Sequence, residues 1–412
     1  MSNAVSKYLR DRAEINPENL PEPNPALCMV VVIPAYREPD LNRTLKSLLN
    51  CTVPLAEKLE VIVVLNRPAD DIMEEENMKV NQRLIQQLNR ESSFPIHGIS
   101  RIFYDEKKAG VGLARKVGMD MALKRLVKVN GLSGWIVCLD ADCTVSSNYL
   151  SELLMLQEND MQAVAGTIRF EHQIPEEGAE SAIYQYELHL RYYVEMQRRL
   201  ALPYAVHTVG SAMFVRALDY AQKGGMNTRK AGEDFYFLHK FTLDKGFRDF
   251  SEPVVYPSAR ASKRVPFGTG RAIVEFDKEY LSYHPNSFAD LSVFLNWVRK
   301  MATHSNLNTV HFDNQDIPES IRSFLQGQDF FLKLEEFNKH TASPSSFLKR
   351  FYQWFNAFRL MKCLHYLRDH FYPSAPILEL AFRELPEKLQ NEGEDLLALY
   401  RDKNNFDQWR AG

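Results

Sequence analysis

At 412 residues, 45% apolar and 25% charged, the chain has the composition of an ordinary soluble globular protein, long enough for two or three domains. A formal net charge of -3 argues against a general polyanion or nucleic-acid binder, although a local basic patch is compatible with it. Met1–Pro17 mixes Lys, Arg, Asp and Glu with no apolar core, and no stretch reaches the roughly 20 apolar residues of a membrane-spanning helix. Five scattered cysteines (Cys28, Cys51, Cys138, Cys143, Cys363) contain no C-x-x-C pair, so reduced thiols in a cytoplasmic protein are expected rather than a disulfide frame or a zinc site.

The leader, residues 1–26, is expected to be extended, because Pro17, Pro21, Pro23 and Pro25 disfavour regular pairing. Met29–Ile33 is a short continuous apolar run, the signature of a strand covered on both faces. Leu41–Leu49 has helical spacing, Val61–Leu65 reads as a second buried strand, and Ile72–Leu88 as a polar helix with a thin apolar stripe. Ile99–Tyr104 alternates like a third strand, Ala109–Val127 is a helix, and Trp135–Leu139 a fourth strand. This alternation predicts an α/β fold: a mostly parallel sheet with helices on both faces, whose ligands lie beyond the strand carboxyl ends. Ala163–Phe170 reads as a further strand and Glu180–Leu200 as a long helix; beyond about Pro266 the pattern is mainly helical, without repeats. The expected division is an α/β domain over residues 27–275 and a helical region over 276–412.

The most informative motif is Asp140-Ala141-Asp142, at the end of the fourth strand. A strand's period of two would point both carboxylates the same way, where they repel unless a divalent cation such as Mg²⁺ or Mn²⁺ chelates them and bridges to phosphate. The first strand ends in Ile33-Pro34-Ala35-Tyr36-Arg37-Glu38, with no G-x-G-x-x-G. Gly110-Val111-Gly112 comes later, but Arg115 stands in the slot of a third glycine, which discounts dinucleotide binding. Lys107, Lys108, Gly110, Ala114, Arg115 and Gly118 form a basic, small-residue helix start that can approach a nucleotide, or serve simply as a solvated start with a packing glycine. Glu233 and Asp234 adjoin the apolar stretch Phe235–Leu238, where a carboxylate drawn out of water gains the proton affinity of a general base; an acid pair at a helix N-terminus is the alternative reading. Arg260, Lys263, Arg264 and Arg271 surround Phe267–Gly270, a basic loop suited to a leaving pyrophosphate or to plain solvation.

Taken in order, Pro34-Ala35-Tyr36-Arg37-Glu38, the Lys108–Gly118 segment, Leu139-Asp140-Ala141-Asp142, Gly210-Ser211-Ala212 and Gly224-Gly225 through Glu233-Asp234 resemble the inverting glycosyltransferase family 2, over roughly residues 29–270. The resemblance implies a GT-A fold, with a Rossmann-like central sheet carrying a helical C-terminal extension. It implies a catalytic domain that moves a sugar from a nucleotide-diphosphate sugar to an acceptor hydroxyl, in glycoconjugate or cell-surface polysaccharide synthesis. By the same resemblance, Pro34, Ala35, Tyr36 and Glu38 would wall the nucleoside site, while Gly110 and Arg115 would lie against the nucleotide. Asp140, with Ala141 beside it, would meet the ribose or the metal region, and Asp142 would ligate Mn²⁺ or Mg²⁺ on the donor diphosphate. Asp234 would be the base; Glu233, with Gly210 and Ser211, would face the acceptor, and Arg264 would assist the departing diphosphate.

Two departures shape the expectation. Where members of the family end the second strand in Asp, this chain has Leu65-Asn66-Arg67-Pro68; the Asn66 amide can pair with a uracil edge, but the departure leaves the donor base open, with a UDP-sugar favoured and a GDP-sugar possible. There is no Q-x-x-R-W motif, which favours addition of a single sugar to a saccharide or lipid-linked acceptor over polymer synthesis. The rivals are a retaining transferase of the same fold and a catalytically silent nucleotide-sugar binder. In the tail, Phe347, Phe351, Trp354, Phe358 and Met361 keep helical spacing beside Lys349, Arg350, Arg359, Lys362 and Arg368. Such a stripe over residues 346–372 is expected to pack as core, with peripheral contact to an anionic membrane as the weaker reading.

Overall fold

Val30, Val31, Val32 and Ile33 are β-branched and unbroken by polar residues, which suits a strand buried on both faces. In the computed structural model they form the centre of β1 (Met29–Ala35), buried along its whole length. The structure describes residues 3–15, 20–262, 268–303, 316–341, 343–390 and 393–402. They fall into two compact units, one made of Met1–Gln173 with Thr208–Val274, the other of Ile174–His207 with Glu275–Gly412.

The first unit is built on a sheet of β1, β2 (Leu59–Pro68), β3 (Ile96–Phe103), β4 (Trp135–Cys138), β5 (Thr144–Val145), β6 (Ala165–Phe170), β7 (Met213–Arg216) and β8 (Phe247–Tyr256), in the order β3-β2-β1-β4-β7-β6-β8-β5. β3, β2, β1 and β4 run parallel, β7 lies antiparallel to both β4 and β6, and β6 pairs parallel with β8. This is the mostly parallel α/β sheet implied by the GT-A resemblance, and it brings the carboxyl ends of β1 and β4 side by side. Val32 pairs with Cys138, and Leu139 N donates to Val32 O at 3.1 Å. β5, β7 and β8 are absent from the sequence reading. The first two are short, and Pro253 with Asp249, Ser251 and Glu252 hides the apolar pattern of the third.

Helices follow the periodicity closely. Leu41–Leu49 buries Leu41, Leu45 and Leu48, one face at i, i+4, i+7. Val111–Lys128 differs, since fourteen of its eighteen residues are buried, so its charged side chains need partners inside the protein. Arg125 finds them in Glu60, through Nη2 at 2.6 Å from Oε1, and in the carbonyl of Pro21 at 2.9 Å. The leader departs from expectation at its start. Asn3–Asp11 is a helix that buries Val5 and Tyr8, because the prolines that enforce extension lie downstream of it while Val5, Tyr8 and Leu9 repeat on one helical face.

The second unit is helical, with Ala182–Arg199, Pro285–Thr303, Pro344–Trp354 and Ala357–His370 among its elements. The aromatic stripe is core. Phe351 and Phe355 pack their rings 6.0 and 5.7 Å from Phe294, and the Arg359 guanidinium lies 4.1 Å over Trp354. Of the stripe itself Phe347 and Phe351 are buried, while Trp354, Phe358 and Met361 are half-buried. No helix among the described residues is long and apolar enough to cross a membrane.

Helix and sheet approach closely at Gly118, where a Cβ would come within 2.3 Å of Val32 Cγ1 and 3.0 Å of Val64 Cγ2. Gly118→Ala gains about 1 kcal/mol of helix propensity. Overpacking against β1 and β2 costs about 1–3 kcal/mol. The expected outcome is a lower melting temperature by calorimetry, with an unchanged or raised one counting against this account.

Candidate active site

The Asp140–Asp142 turn lies beyond the strand that precedes it. β4 ends at Cys138, and Cys143 N donates back to Asp140 O at 3.2 Å. The strand period therefore does not govern the two carboxylates, and they take different partners. Asp140 accepts from Arg115 Nη2 at 2.5 Å. Asp142 accepts from the Cys143 thiol at 3.6 Å and adds to the negative field that raises the pKa of Arg260. Ala141 is buried, and its carbonyl accepts from Thr44 Oγ1 at 2.7 Å, which ties the turn to the helix Leu41–Leu49.

Arg115 is 1% exposed. Its other terminal nitrogen, Nη1, is salt-bridged to Glu233, itself buried at the start of the short helix Glu233–Leu238. Burial alone would push the guanidinium pKa down, but facing Asp140 and Glu233 more than offsets this and holds it above the ordinary value. Gly210 makes the arrangement sterically feasible, since a Cβ there would stand 2.8 Å from Arg115 Nη2. Ser211 is buried beside it and hydrogen-bonds the Cys143 thiol. Asp234 is partly buried; its Oδ1 accepts from Phe235 N at 2.7 Å. Desolvation, then the charge of Glu233, raise its pKa to about 7 against the opposing pull of Arg115.

Gly110 and Gly112 clear space at the start of the helix Val111–Lys128, and the space is taken by the chain leading to Glu233. A Cβ on Gly112 would meet Arg229 O at 2.1 Å, and one on Gly110 would lie 3.2 Å from Lys230 Cα. Pro34 and Ala35 close β1, buried within it. Beyond them Arg37 takes φ 48°, a left-handed turn secured by its N–H donating to Glu74 Oε1 at 2.9 Å. That turn brings Tyr36 OH to Asp71 Oδ2 at 2.8 Å, with the Arg37 guanidinium on the same carboxylate at 2.8 Å. Hydrogen bonding from Arg37 holds the Asp71 pKa below the usual range, and burial with the Asp71 bond raises that of Tyr36 to about 12.

Asp71 is a residue the sequence reading passed over, and its signal was present: β2 runs to Pro68, three residues past the expected end, so the acid pair Asp70-Asp71 follows directly. Asn66 is 4% exposed, and its Nδ2 donates to Ala35 O at 3.0 Å and Val64 O at 3.3 Å. Its donor is thus occupied in holding β1 to β2. Glu38 is buried and takes both oxygens to Arg260 Nη2 at 3.0 and 2.8 Å, while Arg260 Nη1 reaches Asp40 at 3.0 Å. Arg264 lies outside the described residues. Asp140, Glu233 and Asp234 are thus drawn together around Arg115, whereas Asp142, Glu38 and Asp40 surround Arg260.

Residues 30–221 match the family described as Glycosyl transferase family 2. No curated protein matches the chain. Among solved structures, residues 1-349 of TarS from S. aureus in complex with UDP-GlcNAc are similar at 13% identity and TM-score 0.41, over 93% of this chain and 91% of that one. The mannosyltransferase PcManGT of Pyrobaculum calidifontis, in complex with GDP-Man and Mn2+, is similar at 13% identity and TM-score 0.38, over 88% of this chain and 90% of that one. Mouse xyloside xylosyltransferase 1 in its apo form reaches 15% identity and TM-score 0.28, over 54% of this chain and 84% of that one. At these scores the superpositions are too loose to carry residues or ligands across. The family match begins one residue into β1 and runs beyond β7, taking in the central strands and the Asp140–Asp142 turn; on that ground residues 30–221 form a glycosyl transferase family 2 domain, which makes the protein a glycosyltransferase.

Proposed function

We propose that the enzyme moves one sugar from a nucleotide-diphosphate sugar to an acceptor hydroxyl with inversion, Asp234 serving as the base. The observation that carries this reading is the Arg115 bridge. It ties Asp140 at the tip of β4 to Glu233, the neighbour of Asp234, although the two acids stand 93 positions apart in the sequence. A proton acceptor is thereby held at the same strand ends where nucleotides bind in open α/β sheets.

In the proposed step the acceptor oxygen attacks the anomeric carbon as the bond to the diphosphate oxygen breaks. The bonding pair leaves with the nucleoside diphosphate, and the acceptor's proton passes to an Asp234 oxygen. A pKa of about 7 suits a base working near neutrality. Arg115 positions Glu233 and Asp140, while Glu233, Gly210 and Ser211 are assigned to the acceptor side. Tyr36, Glu38, Pro34 and Ala35 are assigned to the nucleoside of a UDP- or GDP-sugar donor, with a saccharide or lipid-linked acceptor; with the Asn66 amide occupied, neither base is favoured over the other.

A divalent cation fits the charge balance. Asp140, Asp142, Glu233 and Asp234 outnumber Arg115, and Arg260 is already paired with Glu38 and Asp40. Among the described residues no three His, Cys, Asp or Glu side chains converge to hold a metal by themselves. Asp142 would therefore hold Mn²⁺ or Mg²⁺ only together with diphosphate oxygens, the usual manner for a hard cation at a nucleotide. When bound, the ion would supply charge stabilisation to the leaving diphosphate.

Asp234→Asn is expected to lower kcat by about 10²–10⁴-fold while calorimetric donor affinity stays near wild type. Near-normal turnover overturns the assignment, and retention of anomeric configuration in the product, read by NMR, overturns inversion. In the wild type, kcat/KM should rise with pH through about 7, as the base loses its proton. The same raised pKa works against stability. Asp234's contribution to the fold is fully present below its ordinary value of 3.8 and is lost as pH climbs from there through about 7. Melting temperature should fall over this window in the wild type relative to Asp234→Asn, and parallel curves would speak against a buried, titrating Asp234. For Asp142→Ala, the gain in UDP affinity on adding Mn²⁺ should be largely abolished in calorimetry; an intact gain removes Asp142 from the metal site.

A further inference from the structure

The family match starts at residue 30, yet the segment before it reaches the parts that hold the acid pair. Tyr8, on the helix Asn3–Asp11, is 3% exposed. Its hydroxyl donates to Asp120 Oδ1 at 2.6 Å and accepts from Lys116 Nζ at 2.8 Å. Lys116 also donates to Asp120 Oδ2 at 2.8 Å, Tyr220 OH to Oδ1 at 2.7 Å and Glu14 N to Oδ2 at 2.7 Å. A fully buried carboxylate is tolerable only with such a set of donors, and two of them come from the N-terminal segment.

Both sides of the Arg115–Glu233 bridge meet this network. Lys116 and Asp120 sit on the helix that carries Arg115, with Lys116 the next residue. On the other side, Tyr220 lies on the helix Ala217–Gln222, after which the chain turns through Gly224 at φ 80° and Gly225 at φ 70° on its way to Glu233. A Cβ on Gly225 would stand 1.8 Å from Tyr8 OH, so this turn rests directly on the phenol. Lys240 Nζ holds the turn from the other flank, donating to Gly225 O at 2.6 Å.

We infer that Tyr8 is a positioning residue for the transfer reaction, the N-terminal helix acting as a latch that sets the 224–234 segment against the helix bearing Arg115. The inference rests on reading Asp234 as the base. A reacting group displaced by about 1 Å can cost on the order of 100-fold in rate, so a support outside the matched family region can matter as much as a residue inside it.

The test uses the full chain with Tyr8→Phe, which keeps the ring and removes only the hydroxyl. Amide hydrogen exchange should quicken across residues 224–234 while β1 and β2 stay protected. With whichever of UDP-GlcNAc and GDP-Man the wild type turns over, kcat should fall about tenfold or more at little-changed donor KM. Gly225→Ala should act in the same direction, through its clash with the phenol and through the strain of a side chain at φ 70°. Combined with Tyr8→Ala, which vacates that space, the two losses should be less than additive. Unchanged exchange at 224–234 together with wild-type kcat and KM in Tyr8→Phe, even with a lower melting temperature, reduces Tyr8 to a structural residue and overturns the inference. Strict additivity of the two alanine variants does the same. Should Asp234→Asn itself be active, the reading of the base fails instead.

Discussion

One guanidinium without access to water organises the first unit. Arg115 sits inside the helix Val111–Lys128, buried on nearly every side, and a charge in that position is tolerable only with counter-charges in contact. Asp140 and Glu233 supply them from segments 93 positions apart in the sequence. Removing a single partner from such a pair typically costs about 3–5 kcal/mol, because the remaining charge is stranded. The β4 turn, the central helix and the 224–233 segment are consequently locked to each other, and glycines at 112 and 210 provide the room for that meeting.

The lock leaves an electrostatic surplus, and the surplus has chemical meaning. Asp234 is the third acid in the group; partly withdrawn from water and beside Glu233, it is the one driven toward neutrality. A group poised near pH 7 can take a proton and return it, which a carboxylate fully compensated by an arginine does poorly. The same excess of negative charge would repel a naked diphosphate, the ground on which a donor carrying its own divalent cation is proposed. Arg260, between Glu38 and Asp40 and within the field of Asp142, marks the side where that charge would be met.

Much of this was legible beforehand. The β-branched run of β1, the face of Leu41, Leu45 and Leu48, and the placement of Asp140 just past an apolar strand all follow from local periodicity, which depends on near neighbours alone. The acid pair before Phe235–Leu238 was visible for the same reason. Other features escaped because their cause lies far away in the chain. The Tyr8 helix was obscured by the prolines that follow it, and β8 by Pro253 and its polar residues. Asn66 looked free to read a base, but Ala35 and Val64 occupy its amide nitrogen. Asp71 became visible only once β2 proved three residues longer than its apolar run.

Composition, period and motif order determined the α/β class, the four parallel strands and the family, because each is written in spacings of a few residues. Partnership was decided by the tertiary structure. Asp140 and Asp142 look equivalent in sequence, yet the turn after Cys138 sends one to Arg115 and leaves the other near Arg260. Glu233 and Asp234 are likewise neighbours with opposite assignments, one bound to a guanidinium and the other holding a proton near neutrality. A charge's behaviour depends on what surrounds it in space, and only the folded chain brings Asp140 and Glu233 to the Arg115 guanidinium.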